Sequence, residues 1–144
     1  MGVFFSMIII TRRELTRAFK SLVKAAECQS RDNSHRLLMF YAVECGLKSL
    51  YLKRARKDVI DGSTANLLGG HNLNKAMSEL RFNDSLHLPK KMSLSDINQT
   101  QTRQLHCGQL NEVWRYGASL NGSYSDQDLE AKLENVITKI KGEL

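Results

Sequence analysis

Hydrophobic positions recur three or four residues apart through much of this chain, a spacing that places them on one face of an α-helix. The first such stretch follows Thr11, and Glu14 three residues later completes a capping box. Its apolar face is made of Leu15, Ala18, Phe19, Leu22, Val23 and Ala26. The pattern therefore predicts an amphipathic first helix that begins after Thr11.

A second helix is predicted from about Ser34 to Arg56, and apolar residues surround it almost completely. They are Leu37, Leu38, Met39, Phe40, Val43, Cys45, Leu47, Leu50, Tyr51 and Leu52. A helix that is apolar on most sides belongs at the centre of a bundle, because none of its faces is suited to solvent. Lys53 and Arg54 near its end suit the negative pole of the helix dipole.

The rest of the chain predicts shorter elements and one further long helix. Residues 58–70 contain several glycines and indicate a loop, a short third helix is expected through residues 71–80, and residues 83–95 around the single proline are expected to be irregular. A fourth helix is expected within residues 96–116. Ser125 and the aspartate three positions later form a second capping-box pattern ahead of a final amphipathic helix.

No stretch alternates apolar and polar residues with the period of two that is typical of a strand. We therefore predict an all-α fold, a bundle of four or five helices within a single domain of 144 residues. Residues 11–141 form the bundle in this prediction. Residues 1–10 form an apolar N-terminal arm, which is too short to span a bilayer and which we expect to be buried, for example against a partner subunit.

Lysines and arginines outnumber acidic residues, which gives a formal net charge of +6 and a pI near 9.4. This excess favours an acidic or phosphate-bearing partner, although it also serves solubility alone. Four basic residues of the first helix recur opposite its apolar face: Arg13, Arg17, Lys20 and Lys24. With a second basic cluster at residues 53–57 they favour nucleic-acid binding, whereas the simpler interpretation is a solvated helix face.

The cysteines indicate the compartment and argue against bound metal. Cys28, Cys45 and Cys107 are an odd number without CxxC spacing, which favours a reduced, cytoplasmic setting. Since neither a CxxC nor an HExxH pattern is present, we expect no metal site and no cofactor. We also expect no association with a membrane.

Three features of the chain together are typical of one known family. A Glu-x-x-x-Lys step begins at Glu44 inside the long apolar helix, and a His-x-Leu opening begins at His71 ahead of the next short helix. The tripeptide Trp114-Arg-Tyr116 follows a later helix. In these features residues 12–117 resemble a HEPN domain.

The resemblance implies a helical bundle that often forms a homodimer. Many HEPN domains act as metal-independent endoribonucleases in toxin–antitoxin and phage-defence systems, others bind nucleotides or pair with nucleotidyltransferases, and some are inactive scaffolds. The expected function is therefore that of an RNA- or nucleotide-directed protein of a defence, stress or toxin–antitoxin system. The alternative is a non-catalytic interaction module that acts with a cognate protein, as an antitoxin, immunity protein or nucleotidyltransferase partner, and fold alone does not choose between the two.

Catalytic HEPN domains use an arginine followed four to six residues later by a histidine, which stabilise the phosphate and take the proton of the ribose 2′-hydroxyl. Arg81 and His87 have that spacing. They depart from the family's pattern because Phe82 stands where a polar residue is usual, and because they precede the last helices of the bundle. His106 lies nearer the expected position, but Arg103 precedes it too closely. The alternative interpretation of Arg81 and His87 is that they are exposed loop residues.

Glu44 falls among apolar residues of the second helix and needs a partner, since an unpaired buried charge is unfavourable. Lys48, one turn further on, is its predicted partner, and Arg115 is a second candidate. The alternative interpretation is that Glu44 is a carboxylate of a functional site.

His71 is predicted to cap the third helix and pack against the bundle, although it can also bind phosphate or act as a base. Arg115 and Tyr116 are candidates for contacting phosphates and bases, while the preceding tryptophan is expected in the core.

Overall fold

The computed structural model describes residues 8–94 and 103–144, and over these residues the chain is mostly helical. Six α-helices lie within them: α1 (Arg12–Ala25), α2 (Asn33–Ala55), α3 (Gly62–Leu68), α4 (Leu73–Glu79), α5 (Leu110–Arg115) and α6 (Asp126–Glu143). The strands form two antiparallel pairs: β1 (Ile10–Thr11) with β2 (Val59–Ile60), and β3 (Lys91–Ser93) with β4 (Gln104–His106). None of the described helices combines the length and the apolar character that a bilayer span requires.

α1 and α6 begin at the two predicted capping boxes. The Thr11 hydroxyl accepts a hydrogen bond from the Glu14 N–H at 3.1 Å, and the Glu14 carboxylate accepts one from the Thr11 N–H at 3.0 Å. At α6 the Ser125 hydroxyl accepts from the Asp128 N–H at 3.1 Å, and the Asp128 carboxylate accepts from the Ser125 N–H at 2.8 Å. These bonds satisfy backbone donors that a helix start leaves unpaired. The predicted starts of the first and last helices are confirmed.

The residues just before α1 pair with the strand that follows α2. Ile10 lies opposite Ile60 in the β1–β2 pair. Residues 1–7 of the predicted N-terminal arm lie outside the described residues. Ile8 and Ile9 are 79% and 71% exposed, so the described part of the arm before β1 is not buried within this chain.

α2 is the central helix of the bundle, as its apolar surroundings predicted. α1 and α6 make its main helix contacts, and Phe40, Val43 and other apolar residues of α2 are fully buried. The closest approach is at Gly46, where an added Cβ would lie 2.7 Å from Phe19 Cδ1 of α1 and 3.0 Å from Ile140 Cγ2 of α6. The glycine therefore permits both neighbouring helices to pack closely on α2.

The prediction of a loop over residues 58–70 is wrong, because β2 and α3 occupy most of it. The Asp61 side chain caps α3 by accepting a hydrogen bond from the Thr64 N–H at 2.8 Å. Gly69 ends the helix in the left-handed region, with φ of +78°. Glycine is the preferred residue at the end of a helix as well as in loops, so glycine content alone does not distinguish the two.

The two strand pairs also lie outside the prediction. β3 and β4 are three residues each, with Lys91 opposite His106 and Ser93 opposite Gln104. A strand of three residues is too short to show a period of two. The all-α prediction is therefore confirmed only as a mostly helical bundle, which within residues 8–94 and 103–144 has six α-helices instead of four or five and two small sheets. Of the predicted fourth helix, residues 96–102 lie outside the described residues, and the described part contains α5.

A buried polar network joins α2 to α6. Arg36 Nε donates a hydrogen bond to Glu130 Oε1 at 2.6 Å, and Arg36 Nη1 lies 3.8 Å from Asp126 Oδ2. Asp126 Oδ1 accepts from the indole N–H of Trp114 at 2.9 Å and from the backbone N–H of Leu120 at 3.2 Å. We name these four side chains, from Arg36, Trp114, Asp126 and Glu130, the α2–α6 network. Trp114 is 3% exposed, which confirms its predicted core position.

Candidate functional site

A second group of polar side chains on α2 surrounds Glu44. The Glu44 side chain is 11% exposed, and its Oε1 accepts from Lys48 Nζ at 3.3 Å, which confirms the predicted ion pair. Its other oxygen, Oε2, lies 3.2 Å from His71 Nδ1. Both oxygens of this mostly buried carboxylate therefore have a partner, which burial of a charge requires.

His71 was predicted to cap the third helix, which the structure shows as α4, and to pack against the bundle; the capping is wrong, whereas the ring does pack against α2. Asn72 is the N-cap of α4, and its side-chain oxygen accepts from the Lys75 N–H at 3.2 Å. The His71 ring faces α2 instead, with its centroid 6.3 Å from that of Phe40 and 6.4 Å from that of Tyr41. His71 lies one residue before this cap, so its side chain makes no capping hydrogen bond to α4 and contacts α2 instead.

Arg115, the second candidate partner of Glu44, bonds a different residue of α2. Its Nη2 donates to the Tyr41 hydroxyl at 2.8 Å, and this hydrogen bond raises the pKa of the guanidinium above its ordinary value. The guanidinium carbon also lies 5.8 Å from the centre of the Tyr116 ring, and Tyr116 is 74% exposed. Tyr41 thus connects the His71 ring to Arg115.

These side chains are continuous, and we name them the Glu44–His71 cluster. Its members are Tyr41, Glu44, Lys48, His71, Arg115 and Tyr116. The sequence predicted five of them as two separate groups, a polar core and a nucleic-acid contact. It missed Tyr41, although a spacing of three residues from Glu44 places both on the same face of α2.

The cluster has the parts of a general-base site. The His71 side chain is 49% exposed, its Nδ1 faces Glu44, and no hydrogen bond among the described residues engages its Nε2. When Nδ1 donates to Glu44, Nε2 carries the lone pair that accepts a proton, and the carboxylate stabilises the resulting imidazolium. Arg115, which bonds the Tyr41 hydroxyl, provides a permanent positive charge, and Tyr116 provides an exposed aromatic ring.

Arg81 and His87 do not form a comparable site. Arg81 is exposed directly after α4, with φ of +57°. His87 lines a groove with Asp84, Lys90 and other residues, and Arg81 is not among the described residues that line it. The Nε2 of His87 is enclosed and has no hydrogen-bond partner among the described residues, so a substrate does not reach this nitrogen.

His106 caps a short 3-10 turn, Cys107–Gln109. Its Nδ1 accepts from the Gly108 N–H at 3.1 Å, and its own N–H donates to Gln109 Oε1 at 3.2 Å. The Cys107 thiol lies 3.4 Å from Asn72 Oδ1, so this turn packs at the start of α4. No contact recorded within the described residues joins His106 to the Glu44–His71 cluster.

Neither the half-buried Cys45 nor the buried Cys107 offers a nucleophile. Burial raises the pKa of the Cys45 thiol, and the charge of Glu44 raises it further. Burial also raises the pKa of the Cys107 thiol. Both thiols therefore stay protonated near neutral pH. Within residues 8–94 and 103–144, no three histidine, cysteine or acidic side chains are grouped as metal ligands.

The basic residues predicted on α1 line a separate groove between α1 and α2. The groove has a volume of about 480 Å³. Its basic lining residues are Arg12, Arg13, Arg17, Lys20 and Lys53. Lys24, the last member of the predicted basic face, is exposed but does not line it. The groove shares no described lining residue with the Glu44–His71 cluster, so the chain presents two distinct candidate surfaces.

No protein-family model matches this chain, and neither a curated protein nor a solved structure matches it. The resemblance to HEPN domains therefore stays a prediction that rests on the residues quoted for it. The candidate site is defined by the contacts of Glu44, His71 and Arg115.

Proposed function

We propose that this chain is an RNA-directed, HEPN-like protein that cleaves RNA without a metal ion at the Glu44–His71 cluster. The observation that carries the proposal is the 3.2 Å contact between Glu44 Oε2 and His71 Nδ1, which Tyr41 connects to Arg115. A histidine oriented by a carboxylate suits general-base catalysis, and a guanidinium nearby suits a phosphate that gains charge. The net charge of +6 favours a polyanionic substrate.

Each step of the proposed reaction has a named group. His71 Nε2 takes the proton of a ribose 2′-hydroxyl, and that oxygen attacks the adjacent phosphorus. The bond from phosphorus to the 5′-oxygen breaks, and the leaving oxygen takes its proton back from the imidazolium. Glu44 holds the imidazolium, Arg115 contacts the phosphate, and Tyr116 stacks on a neighbouring base. The products are a 2′,3′-cyclic phosphate and a 5′-hydroxyl.

Three histidine variants in one assay test this proposal. Wild-type protein, His71→Asn, His87→Asn and His106→Asn are incubated with total RNA in EDTA. His71→Asn should lower the cleavage rate by roughly 10²–10⁴-fold, the usual contribution of a general base. His87→Asn and His106→Asn are matched controls and should cleave at close to the wild-type rate, because neither residue contacts the cluster. Mass spectrometry of the products should find the cyclic phosphate.

Two results would contradict the proposal. Cleavage that survives in His71→Asn but is lost in His87→Asn would assign the chemistry to the Arg81–His87 pair. RNA that stays intact with the wild-type protein would exclude the nuclease.

A non-catalytic interaction module is the second candidate function. Ile8 and Ile9 just before β1 and Val59 in β2 favour it, because they are 79%, 71% and 41% exposed. Exposed apolar residues grouped in this way suit contact with a second copy or a cognate protein. Intact RNA, together with a homodimer in light scattering that Ile9→Asp dissociates, would support this function over the nuclease.

A further inference from the structure

The groove between α1 and α2 contains a feature that a merely solvated basic helix face lacks. Two hydroxyls line it, Thr16 Oγ1 and Ser49 Oγ, and they lie 2.5 Å apart. Ser49 is fully buried and Thr16 is half-buried. Ser49 Oγ also lies 3.5 Å from the Arg12 carbonyl. The packing of α1 on α2 therefore holds a polar floor beneath the basic side chains.

Most of the groove's cations are available to a ligand. Arg13 and Lys20 form no hydrogen bond or ion pair within the described part of the chain, and Arg17 interacts only through its charge, with the Glu14 carboxylate outside the groove. Lys53 Nζ donates to the Glu143 carbonyl at 2.6 Å. No acidic side chain is among the described residues that line the groove. Cations that share a concave surface lined by no acidic side chain favour an anion that carries several charges.

The spacing of these cations suits a row of phosphates. From Arg13 to Lys20 α1 advances about 10 Å. This length exceeds the spacing of successive phosphates in a nucleic-acid strand, about 3.4 Å along the axis of a DNA duplex, so the row can face more than one phosphate. No aromatic side chain is among the described lining residues, and base stacking is therefore not available here.

We infer that this groove binds the phosphate backbone of RNA, independently of base sequence, at a surface separate from the Glu44–His71 cluster. The inference rests on the proposed function only in taking RNA as the ligand, and it does not require cleavage. The triphosphate of a free nucleotide offers the same chemistry over a shorter length, so the experiment includes it as a competitor.

Binding is measured by fluorescence polarisation with a labelled 2′-O-methyl oligouridylate, which lacks the attacking hydroxyl and therefore cannot be cleaved as proposed above. Arg13→Gln/Arg17→Gln should weaken binding roughly tenfold, the equivalent of one charged hydrogen bond or more. It should also reduce the slope of log affinity against log salt by about 1.4, because each lost single-strand phosphate contact removes about 0.7. Lys24→Gln/Lys91→Gln removes the same charge outside the groove and should bind like the wild type.

A second pair of variants tests the hydroxyl floor without changing the charge. Thr16→Val should weaken binding several-fold at an unchanged salt slope, and Thr16→Ser should restore it, because only the serine keeps a hydroxyl at this position. A charged surface without a built site would not distinguish the two. Equal binding by the valine and serine variants would therefore overturn the inference of a built site.

The remaining outcomes separate this inference from the nuclease. Equal losses of affinity in Arg13→Gln/Arg17→Gln and in the Lys24→Gln/Lys91→Gln control would overturn the groove inference, since net charge alone would then explain binding. Displacement of the oligonucleotide by ATP or tripolyphosphate at equal phosphate concentration would overturn the RNA assignment in favour of a nucleotide. If binding depends on the groove residues but the wild-type protein leaves RNA intact, the groove inference is upheld and the proposed cleavage is refuted. If cleavage depends on His71 but the groove variants bind like the wild type, cleavage is upheld and the groove inference is refuted.

Discussion

Two polar clusters on α2 use similar residues in different surroundings. In the α2–α6 network the side chains of Arg36, Asp126 and Glu130 are 11%, 9% and 16% exposed, and Trp114 is buried among them. In the Glu44–His71 cluster the carboxylate is equally buried, at 11%, but the His71 side chain that it contacts is 49% exposed. All members of the first cluster are shielded from solvent, whereas His71, Arg115 and Tyr116 of the second are exposed.

The difference indicates which cluster stabilises the fold and which is available for chemistry. A closed ionic network leaves an uncompensated buried charge when one partner is removed, so its loss should appear in stability. A buried carboxylate that orients an accessible imidazole is the arrangement of functional sites, so its loss should appear in activity. Matched variants of the two clusters distinguish these roles.

The largest expected effect is the removal of Arg36. Arg36→Met leaves Glu130 and Asp126 without their cation and should lower the free energy of unfolding by about 3–5 kcal/mol. The matched change in the other cluster, Lys48→Met, should lower it by about 1 kcal/mol or less, because the pair is partly exposed and His71 stays with Glu44. Urea unfolding followed by circular dichroism measures both. Equal losses would remove the distinction between the clusters.

Next is the effect of Glu44 on cleavage. Glu44→Gln keeps a hydrogen-bond acceptor for His71 but removes the charge that stabilises the imidazolium, so the cleavage rate should fall about 100-fold or more. Unfolding should change by about 1 kcal/mol or less, since the amide fits the same space. The exposed Glu79→Gln is the control and should alter neither quantity. If Glu44→Gln lowers the free energy of unfolding but leaves the specific activity of the folded protein unchanged, the role of Glu44 is structural.

A smaller effect is expected when one hydrogen-bonding group is removed from each cluster, the indole N–H of Trp114 or the hydroxyl of Tyr41. Trp114→Phe removes the donor at 2.9 Å from Asp126 and should lower the free energy of unfolding by about 1–3 kcal/mol. Tyr41→Phe removes the acceptor of Arg115 at the open cluster and should change stability by less than about 1 kcal/mol while slowing RNA cleavage several-fold. Thermal unfolding and the EDTA assay, run on both proteins, check the contrast.

The smallest effect concerns a carboxylate that belongs to neither cluster. The hydrogen bond from the Thr64 N–H, helped by the Ser63 hydroxyl, lowers the pKa of Asp61 from 3.8 to about 2. Because the folded-state pKa is the lower one, the stabilisation of α3 is present above pH 3.8 and is lost as the pH falls toward 2. Asp61→Asn keeps a capping acceptor without titrating. Hydrogen exchange of α3 amides should therefore speed up in acid for the wild type relative to this variant.

Local hydrogen bonds explain why part of the fold was predictable. The capping boxes at Thr11 and Ser125 close within three residues, and the Glu44–Lys48 pair closes within one helical turn. The central position of α2 followed from its apolar residues, which no solvated helix would tolerate. Each of these features depends on neighbours in the chain, so periodicity and spacing were sufficient.

The remaining features depend on contacts that no local pattern contains. β1 pairs with residues about 50 positions later, and Arg115 reaches Tyr41 across 74 positions. Such contacts are decided by how helices pack, which is also why the spacing of Arg81 and His87 produced no shared site. The sequence alone established α1, the central α2 and α6, the caps at Thr11 and Ser125, and the carboxylate of Glu44 among apolar residues. Tertiary packing decided that His71 faces this carboxylate and that the cations of α1 share a groove with α2, because only folding brings side chains from distant elements together.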